Sequence, residues 1–182
     1  DNDPLSIFRS QIDFIQKSGI VTAMVGLLNA PRGTRLYHRL EKENRLLEIF
    51  SGDNTDGSLN FIPKMNYETL INGYKHVLDT IYSPREYYAR VRTFLKEYHP
   101  PKVRGLPRLR LYHLEAFFKT LWFLGVREKG RQYYWQLLLD TLLKHPRSFA
   151  LTVSLSVFGF HFRKVAEKFT RPLINESSTL EY

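Results

Sequence analysis

The stretch from Ile20 to Leu28 most constrains what this chain can fold into, because its residues are apolar or small and do not alternate with polar ones. Unbroken apolarity of this length predicts a strand that is covered on both faces, as in a parallel sheet. Pro31 and Gly33 then interrupt the chain, and Thr34 is placed to cap a helix whose apolar spacing runs to Leu47. The carboxyl end of the predicted strand therefore opens onto a loop, which is where α/β proteins bind their ligands.

The rest of the chain is predicted to be helical. A first helix begins at Asp3-Pro4 and ends at Gly19, Asn66 caps another, and Ser83-Pro84-Arg85-Glu86 forms a capping box with proline in the first turn. Apolar spacing predicts further helices over Leu114 to Leu124, Tyr133 to Leu143 and Ser148 to Phe169. The last of these also fits the alternation of a strand, but its length favours a helix. The predicted fold class is mainly α, a multi-helix bundle preceded by a helix-strand-loop-helix unit.

Three blocks of sequence carry a family resemblance. They are DNDPLSIFRSQIDFIQKSG, then IVTAMVGLLNAPRGTRLYHRLEKENRL, and SGDNTDGSLNFIPKMNYETLINGYKHVLDTIYSPREYYARVRTFL. From Asp1 to about Tyr98 the chain resembles the C-terminal portion of cobalamin-binding-domain radical S-adenosylmethionine enzymes, and beyond Tyr98 the match is looser. The resemblance implies that residues 1–50 are the remnant end of a partial (β/α) barrel and that 51–65 are a connecting loop. It likewise implies that 66–170 form a helical domain of unknown function and that 171–182 are a flexible tail.

Such enzymes carry, elsewhere in the chain, a three-cysteine motif for a [4Fe-4S] cluster and a cobalamin-binding domain. The resemblance implies a parent enzyme that cleaves S-adenosylmethionine reductively to a deoxyadenosyl radical, with cobalamin as a relay for methyl transfer. This chain has no cysteine, so we expect no cofactor of its own and no catalysis by the chain alone. Either it is a fragment of such an enzyme or its lineage has lost the chemistry, and the start at Asp1 without a methionine favours the fragment. Its expected partners are the radical and cobalamin-binding regions that precede it.

The resemblance also assigns candidate cofactor-binding residues. In these enzymes, main-chain groups and apolar side chains after the last barrel strand contact the adenine of S-adenosylmethionine, and the matching residues here are Leu27, Leu28, Asn29 and Ala30. Main-chain groups at a strand end can bond the edge of a base while leucines pack on its face. The same residues also read as the end of a strand and a turn without any ligand, and both interpretations stay open.

Four charged residues are candidates for contact with a substrate or with another domain. Arg32 and Arg35 follow the predicted strand, where they could meet a carboxylate or a phosphate or could simply be solvated. Asp53 and Asp56 belong to the sequence DNTDG, whose spacing does not match a calcium-binding EF-hand loop. Turn formation is the simpler interpretation of the two aspartates, with a substrate-facing or docking role left open.

The charge balance indicates a surface that attracts anions, because the formal net charge is +9 and the isoelectric point is near 9.7. The six histidines have no metal-ligand spacing, and neither a glycine-rich phosphate loop nor a nucleophile elbow occurs. The run from Lys102 to Arg110 is basic and lies near aromatic residues, a composition typical of nucleic-acid binders. A solvated or interdomain surface is the simpler interpretation of this run.

Two other functions therefore stand beside the accessory domain. One is a stand-alone basic helical module that binds nucleic acid or an anionic membrane surface, and the other is a cysteine-free regulatory subunit. For the accessory domain we expect a small-molecule or lipid substrate, peripheral contact with a membrane and no nucleic acid. An unpaired strand would also favour self-association. The absence of cysteine and of a signal peptide predicts a cytoplasmic location.

Overall fold

The computed structural model describes residues 3–47, 58–100 and 111–170 of the chain. Within these ranges the secondary structure is helical. The helices are α1 (Ile7–Ser18), α2 (Arg35–Lys42), α3 (Tyr67–Ile81), α4 (Pro84–Glu97), α5 (Leu111–Trp122), α6 (Arg131–Lys144) and α7 (Phe149–Thr170), with a π-helical turn at Phe123–Arg127 and a 3-10 turn at Pro146–Ser148. The predicted class, mainly α with several helices, is confirmed. The basic run at 102–110 and the predicted tail at 171–182 lie outside the described residues.

Capping side chains begin three of the helices as predicted. The side-chain oxygens of Thr34, Asn66 and Ser83 each accept a hydrogen bond from the backbone N–H three residues later, at 3.2, 3.0 and 3.4 Å. The capping box at Ser83 is only half formed, because the Glu86 carboxylate accepts a hydrogen bond from the side-chain amide of Gln16. The start of each helix is thus fixed by residues adjacent to it in sequence.

The second helix is shorter than predicted. It ends at Lys42 rather than continuing to Leu47, because Asn44 adopts a positive φ of 52°, a conformation that asparagine tolerates and that turns the chain out of the helix. The backbone N–H of Leu47 instead donates to the carbonyl of Asn60 at 2.8 Å. Of the leucines whose spacing predicted a longer helix, Leu40 is buried in α2, whereas Leu47 lies beyond the helix and is 43% exposed.

The predicted strand from Ile20 to Leu28 was wrong as secondary structure. In the described part of the chain this segment has no regular secondary structure, with a bend at Val21 and Thr22, and no neighbouring strand pairs with it. Side chains take the place of that strand: Arg90 donates to the carbonyls of Ile20 and Val21, and the hydroxyl of Tyr82 donates to the carbonyl of Ala23 at 2.6 Å. The predicted cover on both faces is wrong as well, because Val21 and Leu27 are buried whereas Ile20, Met24 and Leu28 are 41, 87 and 54% exposed. Long side chains rather than a sheet satisfy several of its backbone carbonyls.

Two compact units make up the chain. The first comprises Asp1–Ile12, Met24–Asp79 and Ala166–Tyr182, and the second comprises Asp13–Ala23 and Thr80–Val165. The boundaries predicted from the resemblance, at residues 50, 65 and 170, stay predictions. The side chains of the first unit that are buried most completely include Ala30, Leu40, Phe61 and Val77. Those of the second unit include Ile81, Tyr87, Arg90, Val91, Tyr134 and Leu137.

In the second unit, α4 packs against both α6 and α7. Tyr87 of α4 lies on Gly159 of α7 so closely that a Cβ atom there would be 2.1 Å from the ring, and its hydroxyl donates to the carbonyl of Leu155 at 2.7 Å. Near the other end of α7, Arg163 forms an ion pair of 2.8 Å with Glu128, which follows the π-helical turn. The long α7 confirms the helical interpretation of the ambiguous apolar segment. Across the described residues, no helix combines the length and apolarity that a membrane span requires.

The hydroxyl of Tyr134 is the one buried side-chain polar atom in the described residues without a hydrogen-bond partner. Its side chain is fully buried, and burial raises the pKa of Tyr134 from 10.0 to about 12. The tyrosine ionises at a lower pH in the unfolded chain than in the folded one. Its ionisation therefore leaves the stability of the fold unchanged below pH 10 and lowers that stability as the pH rises from 10 towards 12.

We therefore expect Tyr134→Phe to raise the free energy of unfolding by about 1 kcal/mol at neutral pH, because it removes an unpaired buried hydroxyl. The loss of stability between pH 10 and 12 should also become shallower. Urea unfolding at several pH values measures both effects, and Tyr133→Phe, at a half-buried neighbour, serves as the control. A destabilisation by Tyr134→Phe would show that the hydroxyl has a partner after all.

Candidate functional site

The loop that follows Leu28 is held by an asparagine from a distant part of the first unit. The side-chain amide of Asn60 donates to the carbonyl of Ala30 and accepts from the N–H of Ala30, both at 2.8 Å. The backbone N–H of Asn60 donates to the side chain of Asn29 at 3.0 Å. The side-chain amide of Asn60 thus pairs with both the backbone N–H and the carbonyl of the buried Ala30, as the backbone of a neighbouring strand would. We call this pairing the Asn60 clamp.

The same short segment also holds the chain that leaves α2. Leu46 and Phe61 form an isolated antiparallel bridge, and the N–H of Ile62 donates to the carbonyl of Arg45 at 2.8 Å. The Arg45 guanidinium donates to the carbonyl of Ile62 and pairs with Glu43 at 2.7 Å, which lowers the pKa of Glu43. Residues 59–62 therefore bond to two otherwise separate stretches of the first unit.

Leu27 and Leu28 line an apolar pocket on one side of this segment. Its volume is about 140 Å³, it is partly open to solvent, and its other walls include Phe8, Phe61 and Tyr74. A cavity of roughly 150 Å³ takes one benzene ring, so this pocket has room for about one flat ring. Leu27 is buried and Leu28 is 54% exposed, which places Leu28 within reach of a ligand. We call this the leucine pocket.

Two contacts fix the walls of the leucine pocket. The ring of Phe8 lies on Gly73, where a Cβ atom would be only 2.3 Å away, so glycine is needed for α1 and α3 to approach this closely. The hydroxyl of Tyr74 donates to the carbonyl of Val25 at 3.2 Å. Two polar side chains, the carboxylate of Asp3 and the amide of Gln11, also line the pocket. The pocket thus offers apolar faces with an amide and a carboxylate beside them, which suits a planar heterocycle.

A second and larger pocket of about 480 Å³ lies beside Ala30. Pro31, Arg32, Tyr37 and Leu47 are among its lining residues. Its volume is in the range of small-molecule sites. Arg32 is exposed and has no ion-pair partner among the described residues, so its guanidinium is available to a carboxylate or a phosphate. We call this the Arg32 pocket.

The structure places the sequence-predicted residues in three groups. Leu27 and Leu28 share the leucine pocket, whereas Ala30 and Arg32 line the Arg32 pocket. Arg35 lies exposed in the first turn of α2 and lines neither pocket. Asp53 and Asp56 lie outside the described residues.

The expectation that backbone groups of this loop bond an adenine edge meets a constraint at Asn29 and Ala30. Both backbone polar groups of Ala30 are occupied by the Asn60 clamp, and Asn29 bonds to the segment that carries Asn60. The segment can therefore contact an aromatic ring through the apolar side chains of Leu27 and Leu28. The binding role of these four residues stays a prediction.

Sequence reasoning missed Asn60, which lines the Arg32 pocket and whose chain neighbours Leu59 and Phe61 line the leucine pocket. The signal was a single asparagine inside the apolar run Leu59-Asn60-Phe61, where an amide is costly to bury unless it is fully hydrogen-bonded. Nothing in the spacing showed that its partner is Ala30. In the described part of the chain, histidines and carboxylates do not gather into any group that could hold a metal ion.

Comparison with known proteins gives one family and one relative to report. The family model described as Domain of unknown function (DUF4070) matches residues 34–174, about three quarters of the chain. A protein of Synechocystis sp. named as an uncharacterized methyltransferase is 30% identical over 158 residues, which is 86% of this chain and 30% of that protein. The chain thus spans less than a third of the length of this relative. No solved structure matches the chain.

Proposed function

Because the chain belongs to the family described as Domain of unknown function (DUF4070), we propose that it is a helical accessory domain of a methyltransferase of the radical S-adenosylmethionine type. The name of the Synechocystis relative supports methyl transfer, and the length of that relative supports a larger parent enzyme. The sequence resemblance supports the radical type and a cobalamin-binding region in the same parent. The partners of this domain are then the other regions of that enzyme.

The leucine pocket is the observation that carries the proposal. The family match begins at Thr34, whereas the pocket is built both from residues before that point, including Leu27 and Leu28, and from residues after it, including Phe61 and Tyr74. Residues on both sides of the point where the family match begins therefore line this one pocket. In the proposed enzyme it packs its apolar faces against the adenine of S-adenosylmethionine.

This chain's own residues would bind and position rather than react. Leu27 and Leu28 would cover the base, Gln11 offers an amide to its edge, and the Asn60 clamp keeps the segment from moving away. The residues present do not fit an iron–sulfur cluster, since the chain has no cysteine, so the thiolates would come from elsewhere in the parent. The Arg32 pocket would take an anionic group of the substrate.

Adenosine binding to the chain tests the proposal. In an NMR titration of the 182-residue chain, we expect the methyl signals of Leu27 and Leu28 to shift, with a dissociation constant on the order of 1 mM, which corresponds to about 4 kcal/mol. Leu28→Glu should weaken binding by about tenfold or more, since it replaces apolar contact with a charge.

A matched variant separates a local effect from a general one. Ile62 belongs to the same unit and is 52% exposed, close to the 54% of Leu28, but it lines neither pocket. Ile62→Glu should leave adenosine binding unchanged. The proposal fails if adenosine shifts signals elsewhere in the chain while those of Leu27 and Leu28 stay in place.

A further inference from the structure

Two stripes of exposed apolar side chains lie on consecutive helices of the second unit. Phe118, Trp122 and Val126 follow one another at four-residue intervals along α5 and the π-helical turn, and Trp135, Leu139 and Leu143 do so along α6. All six are exposed, with Phe118 at 65% and Leu143 at 79%. Side chains four apart lie on the same face of a helix, so each stripe is continuous.

The stripes meet at the π-helical turn. The indole N–H of Trp135 donates to the carbonyl of Gly125 at 2.9 Å, and its ring lies so close that a Cβ atom on Gly125 would be 2.9 Å from it. Gly125 stands between Trp122 and Val126 in the chain, so this contact joins the stripe on α6 to the stripe on α5. We call the six side chains together the aromatic face. Exposed apolar area of this extent is uncommon on a soluble domain unless it binds something.

The charges beside the aromatic face are predominantly positive. The nearby carboxylates are already engaged, because Glu128 pairs with Arg163 at 2.8 Å and Asp140 pairs with Lys144 at 3.2 Å. Three cations at the end of the turn or just after it, Arg127, Lys129 and Arg131, have no carboxylate partner in the part of the chain that the structure describes. The face thus combines tryptophan, phenylalanine and leucine with unneutralised arginine and lysine.

We propose that the aromatic face docks on the surface of an anionic lipid bilayer. Tryptophan prefers the headgroup layer, leucine and phenylalanine enter the acyl boundary, and arginine and lysine remain among anionic headgroups. The described helices do not cross a membrane, so the contact is peripheral. A second copy of the chain fits less well, because a twofold contact through this face would bring its cations together. The inference is independent of the leucine pocket.

Intrinsic fluorescence tests the inference directly, since the chain has two tryptophans and both belong to the aromatic face. With vesicles of phosphatidylcholine and phosphatidylglycerol, we expect the emission to shift to the blue and to be quenched by bromine on the acyl chains. With phosphatidylcholine alone, binding should be at least about tenfold weaker, since about two or more cations would each lose a roughly fivefold contribution.

Two phenylalanines with the same exposure provide the variant and its control. Phe118 and Phe14 are both 65% exposed, but Phe14 lies on α1 and belongs to neither stripe. Phe118→Ser should lower vesicle partitioning about tenfold and Phe14→Ser should not. Lys129→Gln should lower it about fivefold. Circular dichroism establishes that each variant is folded.

Three outcomes would overturn the inference. One is an emission spectrum that anionic vesicles leave unchanged. Another is a blue shift that follows protein concentration without lipid, which would identify a second copy as the occupant. The third is an equal loss of vesicle binding in Phe118→Ser and Phe14→Ser, which would show that the lipid contact is not made by the aromatic face.

Discussion

Replacing Arg90 by methionine is expected to lower the free energy of unfolding by about 3–5 kcal/mol, the largest effect of any single substitution considered. Arg90 is 1% exposed, and its guanidinium donates to the carbonyls of Ile20, Val21 and Ile81 at 3.1, 3.2 and 2.6 Å. A further N–H donates to the side chain of Gln16. Methionine fills a similar volume but leaves these acceptors without a donor, and each unpaired buried group costs about 1–3 kcal/mol.

The charge of Arg90 is compensated without direct contact to a carboxylate. Burial lowers the pKa of Arg90, whereas the rings of Tyr82 and Tyr87, with centroids 6.0 and 5.4 Å from the guanidinium carbon, face the cation. Gln16 accepts from Arg90 and donates to the Glu86 carboxylate, so it links the two charges through one amide. The whole arrangement belongs to the second unit.

Arg92→Met provides the control on the same helix. Arg92 is partly exposed and its ion pair with Asp140 is long, at 3.9 Å, so its loss should cost less than about 1 kcal/mol. Urea unfolding followed by circular dichroism measures both variants. If Arg90→Met were as stable as Arg92→Met, the hydrogen bonds from Arg90 to the carbonyls of Ile20 and Val21 would not stabilise the fold as proposed.

Asn60→Leu is expected to cost about 2–4 kcal/mol, because it removes the clamp on Ala30. Leucine has nearly the same shape, but it leaves the N–H and the carbonyl of a fully buried residue without partners. The same variant should weaken adenosine binding, since Leu27 and Leu28 directly precede the clamped loop. Urea unfolding and the NMR titration measure the two effects.

Asn60→Asp distinguishes hydrogen bonding from packing. The ionised carboxylate accepts from the N–H of Ala30 but cannot donate to its carbonyl, whereas the protonated acid can do both. This variant should therefore be more stable near pH 4 than near pH 7 relative to the wild type, because raising the pH ionises a buried group. An Asn60→Asp protein with the wild-type dependence on pH would show that the clamp contributes little.

The helix starts could be predicted because their causes are local. Thr34, Asn66 and Ser83 each cap a helix with an oxygen that reaches only three residues along the chain. A sequence displays such a contact directly. The end of α2 is local as well, but asparagine takes a left-handed conformation too rarely for Asn44 to signal it.

The segment from Ile20 to Leu28 could be predicted only in part. Val21 and Leu27 are buried, but Met24 is 87% exposed, so unbroken apolarity did not mean cover on both faces. Its backbone partners, however, are side chains of Arg90, Tyr82 and Tyr74, which stand about 50 to 70 residues away in the chain. Apolar periodicity carries no information on such distant polar contacts.

The leucine pocket, too, could be predicted only in part from the sequence. The family resemblance pointed to Leu27 and Leu28, and both line the pocket. The opposing walls come from Phe8 and Tyr74, whose positions depend on a glycine that lets one helix approach another and on a hydroxyl bonded to a carbonyl. These are tertiary contacts, and the helical spacing of Tyr74 showed only that it would be buried.

Hydrogen–deuterium exchange of the proposed parent enzyme, with and without S-adenosylmethionine, tests the central claim most directly. The account predicts that the cofactor slows exchange in the peptide that contains Val25 to Ala30, where the leucine pocket is lined, and leaves the peptides of α5 and α6 unchanged. Unchanged exchange from Val25 to Ala30 at a concentration that saturates the enzyme would contradict it.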